Sequence, residues 1–344
     1  MRENHEILRA APLLNAAGDL NEPGWASSPL PVYRRTDIRA GKLRIKEWDY
    51  YLVTDGHIGL ALTISDNGYM GLDSVSFLDF DGKWERTKSP MRLLPLGKTG
   101  LPESSAEGVS EIARGGYALA FYHEDGARRL SFHMENFLDG DMIEGVVTLT
   151  DAPKQSMVIA TPFDKPKHFY YNQKINCLRA SGWVELGAER FELTPDKFFA
   201  VLDWGRGVWT YHNTWYWSSA SGLLDGAPFG WNLGYGFGDT SAATENALIY
   251  NGRLHKLDHV IFEIPMKDGK EDYLSPWRFT SSDGRFEMQF QPVLDRAACT
   301  DFKLLKSDQH QVFGTFTGTA VLDDGSALSV RDFFGFAEKV ENKW

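Results

Sequence analysis

Twice along the chain, at an offset of roughly half its length, one plan of short elements recurs. In the first copy Trp48-Asp49-Tyr50-Tyr51 precedes the run Leu60 to Asp66, a polar loop, and Ser74 to Phe80, which turns at Asp81-Gly82 into Lys83-Trp84. In the second, Trp215-Tyr216-Trp217 precedes Trp231 to Asp239, a polar loop, and Glu245 to Tyr250, which turns at Asn251-Gly252 into Arg253. Asp-Gly and Asn-Gly suit the two-residue type I′ turn, where both central residues need positive φ. Strand, strand, loop and hairpin, made twice, predict an all-β chain of two similar units, because such strands bury a face only by closing into a barrel or stacking as a sandwich. Pro162 and Pro166 interrupt the β pattern, so the boundary is expected between Thr161 and Lys167. The expected layout is an irregular extension over 1–35, anchored by Trp25 on the first barrel, a first barrel over 36–165 and a second over 166–344.

At 344 residues each unit is large enough to bury a core unaided. The 11 Trp and 33 Gly fit this picture, since aromatics fill or line β interiors and glycines supply turns and bulges. Cys177 and Cys299 form no C-x-x-C pair, so neither a disulfide framework nor a zinc site is expected. His255 and His259 share a strand face but have no further ligand spacing, and no metal is assigned. The N-terminus lacks a basic stretch leading into an apolar run, and no run of about 18 apolar residues occurs, so a cytoplasmic protein without an integral membrane segment is expected. A net charge of −11, with no Lys/Arg cluster to offset it locally, argues against nucleic acid and anionic membrane as partners. No feature of the sequence encodes the oligomeric state.

Chemistry-bearing residues concentrate in one stretch, Asp203-Trp204-Gly205-Arg206-Gly207-Val208-Trp209 through His212, Asn213, Trp215 and Trp217. Gly205 and Gly207 predict a tight loop around Arg206. A strand is expected to follow, with Trp209, Tyr211, Asn213, Trp215 and Trp217 on one face and His212 among the polar residues of the other. In the next strand Trp231, Leu233, Tyr235 and Phe237 share a face while Asn232, Gly234 and Gly236 share the opposite one, leaving room for a packed element or a ligand. Aromatic walls opposite missing side chains predict a lined cavity, with Trp204, Trp209, Asn213, Trp215, Trp217, Trp231 and Tyr235 as ligand-binding candidates. Asp203, Arg206, His212 and Glu245 are the catalytic candidates, expected to form one linked polar group in which Arg206 pairs with a carboxylate. Taken singly, each Trp is more often core packing, and His212 more often structural. No nucleophile elbow, P-loop, H-E-x-x-H or dinucleotide fingerprint is present, and no cofactor is implied.

Three stretches carry a family resemblance: Pro12-Leu13-Leu14 with Gly24-Trp25-Ala26; Lys46-Glu47-Trp48-Asp49-Tyr50-Tyr51 with Asp66-Asn67-Gly68-Tyr69; and Asp203 to Gly207 through Trp215-Tyr216-Trp217, with Gly335-Phe336-Ala337-Glu338 and Trp344. Together they resemble a bacterial and fungal domain of unknown function, itself distantly similar to lipocalin-like proteins such as carotenoid hydratase, tocopherol cyclase and certain natural-product Diels–Alderases. The resemblance implies two lipocalin-like β-barrel domains in tandem and a hydrophobic polyene, prenyl or fatty ligand. No catalytic acid maps residue by residue from those enzymes.

Three functions fit these residues. An acid-initiated hydratase, cyclase or isomerase needs a proton donor in a dry pocket, Asp203 or Glu245, and aromatic faces to stabilise developing positive charge. A non-catalytic carrier of a lipid or other apolar metabolite uses the same cavity with polar groups only for orientation. Carbohydrate binding uses the Trp residues as open platforms.

Overall fold

Side-chain alternation along the strand Phe199–Val208 sets the plan of the molecule. Ala200, Leu202, Trp204 and Val208 enter the first hydrophobic core, whereas Val201 joins an apolar cluster shared with the second half of the chain, and Asp203 turns the same way. Every residue of this strand is buried, because one face packs inside its own sheet and the other against a second sheet.

The computed structural model describes residues 4–124, 126–302 and 305–343; Trp344, part of the family pattern, lies outside them. The protein is all-β: among the described residues the only helical elements are the 3-10 turns Arg35–Asp37 and Lys42–Arg44. The first sheet runs in the order Trp84–Lys88, Met70–Asp79, Ile58–Asp66, Ile45–Thr54, Phe199–Val208, Phe169–Leu186, Asp141–Thr150, Ala127–Leu138, Tyr117–Glu124, Gly108–Arg114, with four further strands beside this path. It curls until its first edge strand reaches back to Ala127–Leu138, where Arg86 Nε donates to the Phe137 carbonyl at 3.0 Å and Lys88 Nζ to the Glu135 carbonyl at 2.8 Å. The second sheet has nine strands, with His212–Leu224 between Ala227–Tyr235 and Ala327–Lys343, and it encloses a core of Trp231, Trp277, Phe279, Phe286, Phe290 and Phe316.

The chain changes sheets at Trp209–Tyr211 and not near residue 165. Pro162 ends the strand Met157–Pro162, as expected, yet the next long strand, Phe169–Leu186, pairs back onto it and onto Asp141–Thr150. A turn residue marks the end of a strand but carries no information about which sheet the following strand joins. The extension before residue 35 packs Ile7, Leu13 and Leu14 into the first core and pairs Gly24–Ala26 with the strand Met157–Pro162. It also reaches the second sheet's connections, where His5 N donates to the Ala242 carbonyl at 2.9 Å.

Two apolar clusters seal the sheets together, one around Tyr50, Val201, Trp217, Phe313 and Phe336, the other around Trp25, Tyr170, Trp209, Phe237 and Leu254. Trp48 and Trp215 pack against both. A bulge between Ile175 and Leu178, with Cys177 at φ 59°, swings Asn176 out of register so that its Nδ2 donates to Ser219 Oγ at 2.8 Å and to the Trp231 carbonyl at 2.9 Å. Asn176 thus fastens the first sheet to the second through strand backbone as well as side chain.

Gly205 is the closest approach across this junction. A Cβ there would fall 1.9 Å from Trp48 Cζ2, and the indole cannot withdraw because it stacks on Tyr170 at 6.3 Å and meets Trp209 edge-on at 5.3 Å. Gly205→Ala is therefore expected to destabilise the fold by at least about 1–3 kcal/mol through overpacking, read as a lowered urea midpoint. An unchanged midpoint would mean that Trp48 is free to move.

Candidate active site between the two sheets

Where the sheets meet, buried strands place charged groups against one another. Asp203 pairs in register with Lys174, and its carboxylate accepts from Lys174 Nζ at 2.8 Å and from Asn172 Nδ2 at 2.6 Å. Lys174 is nearly sealed from solvent, and its ammonium also lies 3.9 Å from the centroid of the Trp217 ring. A buried ammonium needs this much compensation, since desolvation alone would drive it neutral.

Two more carboxyls face this pair from the second sheet's side. Glu245 Oε2 accepts from Asn232 Nδ2 at 3.1 Å, and Asn232 Oδ1 in turn accepts from Trp217 Nε1 at 2.8 Å. Glu338 accepts from Trp215 Nε1 at 2.7 Å and from Gln311 Nε2 at 3.1 Å, and Gln311 is within hydrogen-bond reach of the Tyr50 hydroxyl. Both residues are half-buried overall, with protein closing around their carboxyls. Burial pushes both above the usual carboxylate range; Lys174 and the N–H donors oppose that shift, and the negative charge of Asp203 adds to it. Tyr170 completes the group: its phenol is raised well above the ordinary tyrosine value by burial first, then by Glu245, Asp203 and Glu338.

The aromatic wall is built from both sheets. Trp48, Trp209, Trp215 and Phe237 meet edge to face at 4.8–5.7 Å, and Tyr50 meets Trp217 at 5.9 Å. Trp48 and Trp215 are only half-buried, so they form the rim, whereas Trp217 lies deeper against Lys174.

Of the residues expected to act together, the structure brings Asp203 and Glu245 within each other's field, with Trp215 and Trp217 beside them. The other two catalytic candidates lie elsewhere. Arg206 points to the inner face of the first sheet, where Nη1 pairs with Asp49 at 3.0 Å, Nη2 donates to the Pro102 carbonyl at 2.7 Å and the guanidinium lies over Trp204. Asp203 and Arg206 are three apart on one strand and so face opposite ways. His212 stands at the surface beside Glu341, 3.2 Å away. Trp204 belongs to the first core, edge-on to Tyr33 and Tyr171. Trp231 fills the second core, where Tyr235 stacks on Tyr216, and Asn213 bonds locally to Thr210. Trp209 precedes the strand, which starts at His212, and packs at the junction.

The expected lined cavity is replaced by ring-on-ring packing. The glycines that seemed to leave room for a ligand instead seat neighbours: a Cβ on Gly234 would lie 2.4 Å from Glu245 Oε1, as one on Gly205 would strike Trp48. A cleft of about 20 Å³, room for one water, lies farther along the junction between Leu52, Val201, Ala220, Phe313 and Phe336. Glu338, Lys174 and Tyr170 were not singled out as site residues, although Glu338 falls in a family stretch. A signal for Lys174 exists: Asn172, Gln173, Lys174 and Asn176 are polar residues in an otherwise apolar strand run, where each must find a partner.

The sequence pattern of a domain of unknown function (DUF2804) matches residues 4–344, and the chain belongs to that family. No curated protein matches it by sequence. Among solved structures, a Nitrosomonas europaea protein described as an AttH is similar over 91% of this chain and 98% of its own, at 16% identity and a TM-score of 0.54. Kievitone hydratase of Nectria haematococca is similar over 97% and 98%, at 11% identity and a TM-score of 0.51. At these identities the likeness concerns the fold.

The raised carboxyls set the sign of a pH effect. A glutamate in the unfolded chain ionises near pH 4.3; Glu245 in the folded chain ionises higher, so the native state holds more protons in between and its stability falls as pH rises through that window. Glu245→Gln removes this titration and keeps an oxygen for Asn232. The variant is expected to gain stability relative to wild type as pH rises from about 4 to 8, measured by urea unfolding at both ends. A gap that is constant, or widens toward acid, would show that Glu245 ionises in the fold without penalty.

Proposed function

We propose that this member of the DUF2804 family uses the junction between its sheets for cofactor-independent acid–base chemistry on a hydrophobic small molecule, with hydration, cyclisation or isomerisation of an olefin as the reaction class. The observation that carries this reading is the division of labour among the carboxyls. Burial raises both glutamates, and Glu338, which receives an N–H donor on each oxygen, has the stronger support for its anion. Glu245 receives its side-chain donor on Oε2, and burial favours its protonated form. Asp203 is committed to Lys174 and Asn172 as a fixed counter-charge.

In a hydration, Glu245 gives its proton to an alkene carbon. The positive charge that develops on the neighbouring carbon lies among indole and phenol faces, which attract cations in a water-poor site. Water attacks that carbon and its released proton passes to Glu338, so that H and OH have been added across the double bond. Exchange between the two carboxyls, with Tyr170 near both, restores the starting state. For isomerisation the same base removes a proton from carbon and no water is needed. Kievitone hydratase, by its name a hydratase, shares the fold, and hydration is within reach of this arrangement. Substrate entry requires the half-buried rim indole of Trp215, which now closes on Trp209 and Phe237, to swing aside.

Incubation with an apolar extract followed by mass spectrometry tests the reading. Wild type is expected to convert an olefinic component, by a mass gain of one water or by isomerisation at constant mass. Glu245→Gln should lose at least about 100-fold in rate, while retention of that component on the protein stays unchanged. Retention without conversion by wild type would instead make the protein a carrier.

A further inference from the structure

Apart from the junction, the described surface carries one built apolar platform. The segment Met91 to Gly97 presents Met91, Leu93 and Leu94 to solvent at 61%, 78% and 55% exposure, and Leu43 stands beside it at 51%. The four surround one turn: Leu43 touches Gly68, the Leu94 amide donates to the Tyr69 carbonyl at 2.9 Å, and Leu93 pairs with Met70.

This exposure is held in place. Arg92, between the outward Met91 and Leu93, is buried and ion-paired through Nε and Nη2 to both oxygens of Asp73, at 2.7 and 2.8 Å, and it donates to Thr99 and to the Ser65 carbonyl. Asp66 accepts from Gly97 N and Thr99 Oγ1. Leu94 and Leu96 adopt φ of 49° and 52°, a left-handed conformation that costs a leucine energy and is kept only where surrounding contacts enforce it.

The flank is basic. The sequence suggested no cationic cluster, yet residues 34–44 contain Arg34, Arg35, Arg39, Lys42 and Arg44 against the single acid Asp37, in a chain of net charge −11. The fold lays this segment along the platform, Arg35 packing against Gly97, with Lys98 exposed beside it. Glu103, which accepts from Arg35 N, is a nearby exposed acid. We propose that Leu43, Met91, Leu93 and Leu94, with Lys42 and Lys98 beside them and the basic 34–44 segment behind, form a docking face for an anionic lipid surface. Rigid leucines enter the acyl boundary while the cations meet headgroup charge. The Arg44 carbonyl accepts from Trp209 N, so this face lies one residue pair away from the aromatic wall of the junction. The docking does not depend on the reaction assigned there, and its test uses no turnover.

Sedimentation of the full chain with vesicles of phosphatidylcholine, alone or with about one-third phosphatidylserine, reads the proposal. Binding is expected with the anionic vesicles only and is expected to weaken with added salt. Leu93→Ser should reduce partitioning roughly tenfold, and Lys42→Gln with Lys98→Gln should reduce it by about fivefold per charge removed. Leu94→Asn, which suits the left-handed backbone, should weaken binding while leaving the melting temperature unchanged or higher. Absence of vesicle binding overturns the proposal, as does binding indifferent to all these substitutions. Concentration-dependent self-association abolished by Leu93→Ser, without vesicle binding, would assign the face to a second copy of the chain and overturn the lipid reading.

Discussion

A lysine ammonium buried between two sheets is the condition on which the junction rests. Lys174 cannot be left there alone, and the fold answers with the carboxylate of Asp203, the amide of Asn172 on Asp203, the face of Trp217, and the fields of Glu245 and Glu338. Those partners come from both sheets, so the electrostatic balance and the docking of the halves are one problem. Burial is what raises Glu245 and Glu338, and the negative charge of Asp203 adds to it. A junction built for cohesion alone would be better served by apolar residues of similar volume.

The β pattern and the Asn-Gly turn were legible because both are local: Asn251 and Gly252 take φ of 49° and 79° between the paired Tyr250 and Arg253. In the first half, by contrast, Asp79 pairs with Trp84 across a longer loop in which Lys83, not Asp81 or Gly82, takes the positive φ. Sheet membership was not legible. The strand Phe169–Leu186 could have begun a second unit, and only its pairing with Asp141–Thr150 and Phe199–Val208 assigns it to the first. The site shows the same division. Asp203, Glu245, Trp215 and Trp217 stood out as dense chemistry in sequence, whereas Lys174 meets Asp203 through a cross-strand register spanning 29 residues, which follows from no motif. Period-two alternation, applied strictly, already separates Asp203 from Arg206. Proximity in sequence suggested a pair where the pleat forbids one.

The glycines teach a related lesson. A strand glycine signals that something approaches closely, and at Gly205 and Gly234 that something is Trp48 and Glu245 of the same chain. The sequence cannot distinguish a ligand from a neighbour at such a position, because both need the same missing atoms. Here the glycines act one step removed from chemistry: they set how near an indole and a carboxyl can come to the buried charge.

The pairing of Ile45–Thr54 with Phe199–Val208 has a consequence for biosynthesis. During translation the earlier strand leaves the ribosome with one edge open, and its hydrogen-bonding partner is still some 150 residues from being made. The first sheet stays incomplete for most of the time the chain is being synthesised, and at about 5–20 residues per second that interval is many seconds long. Over it, the open backbone edge beside Trp48, Tyr50 and Tyr51 is available for wrong pairing. Nascent chains therefore face their main hazard early, well before the acid–base residues of the second half exist.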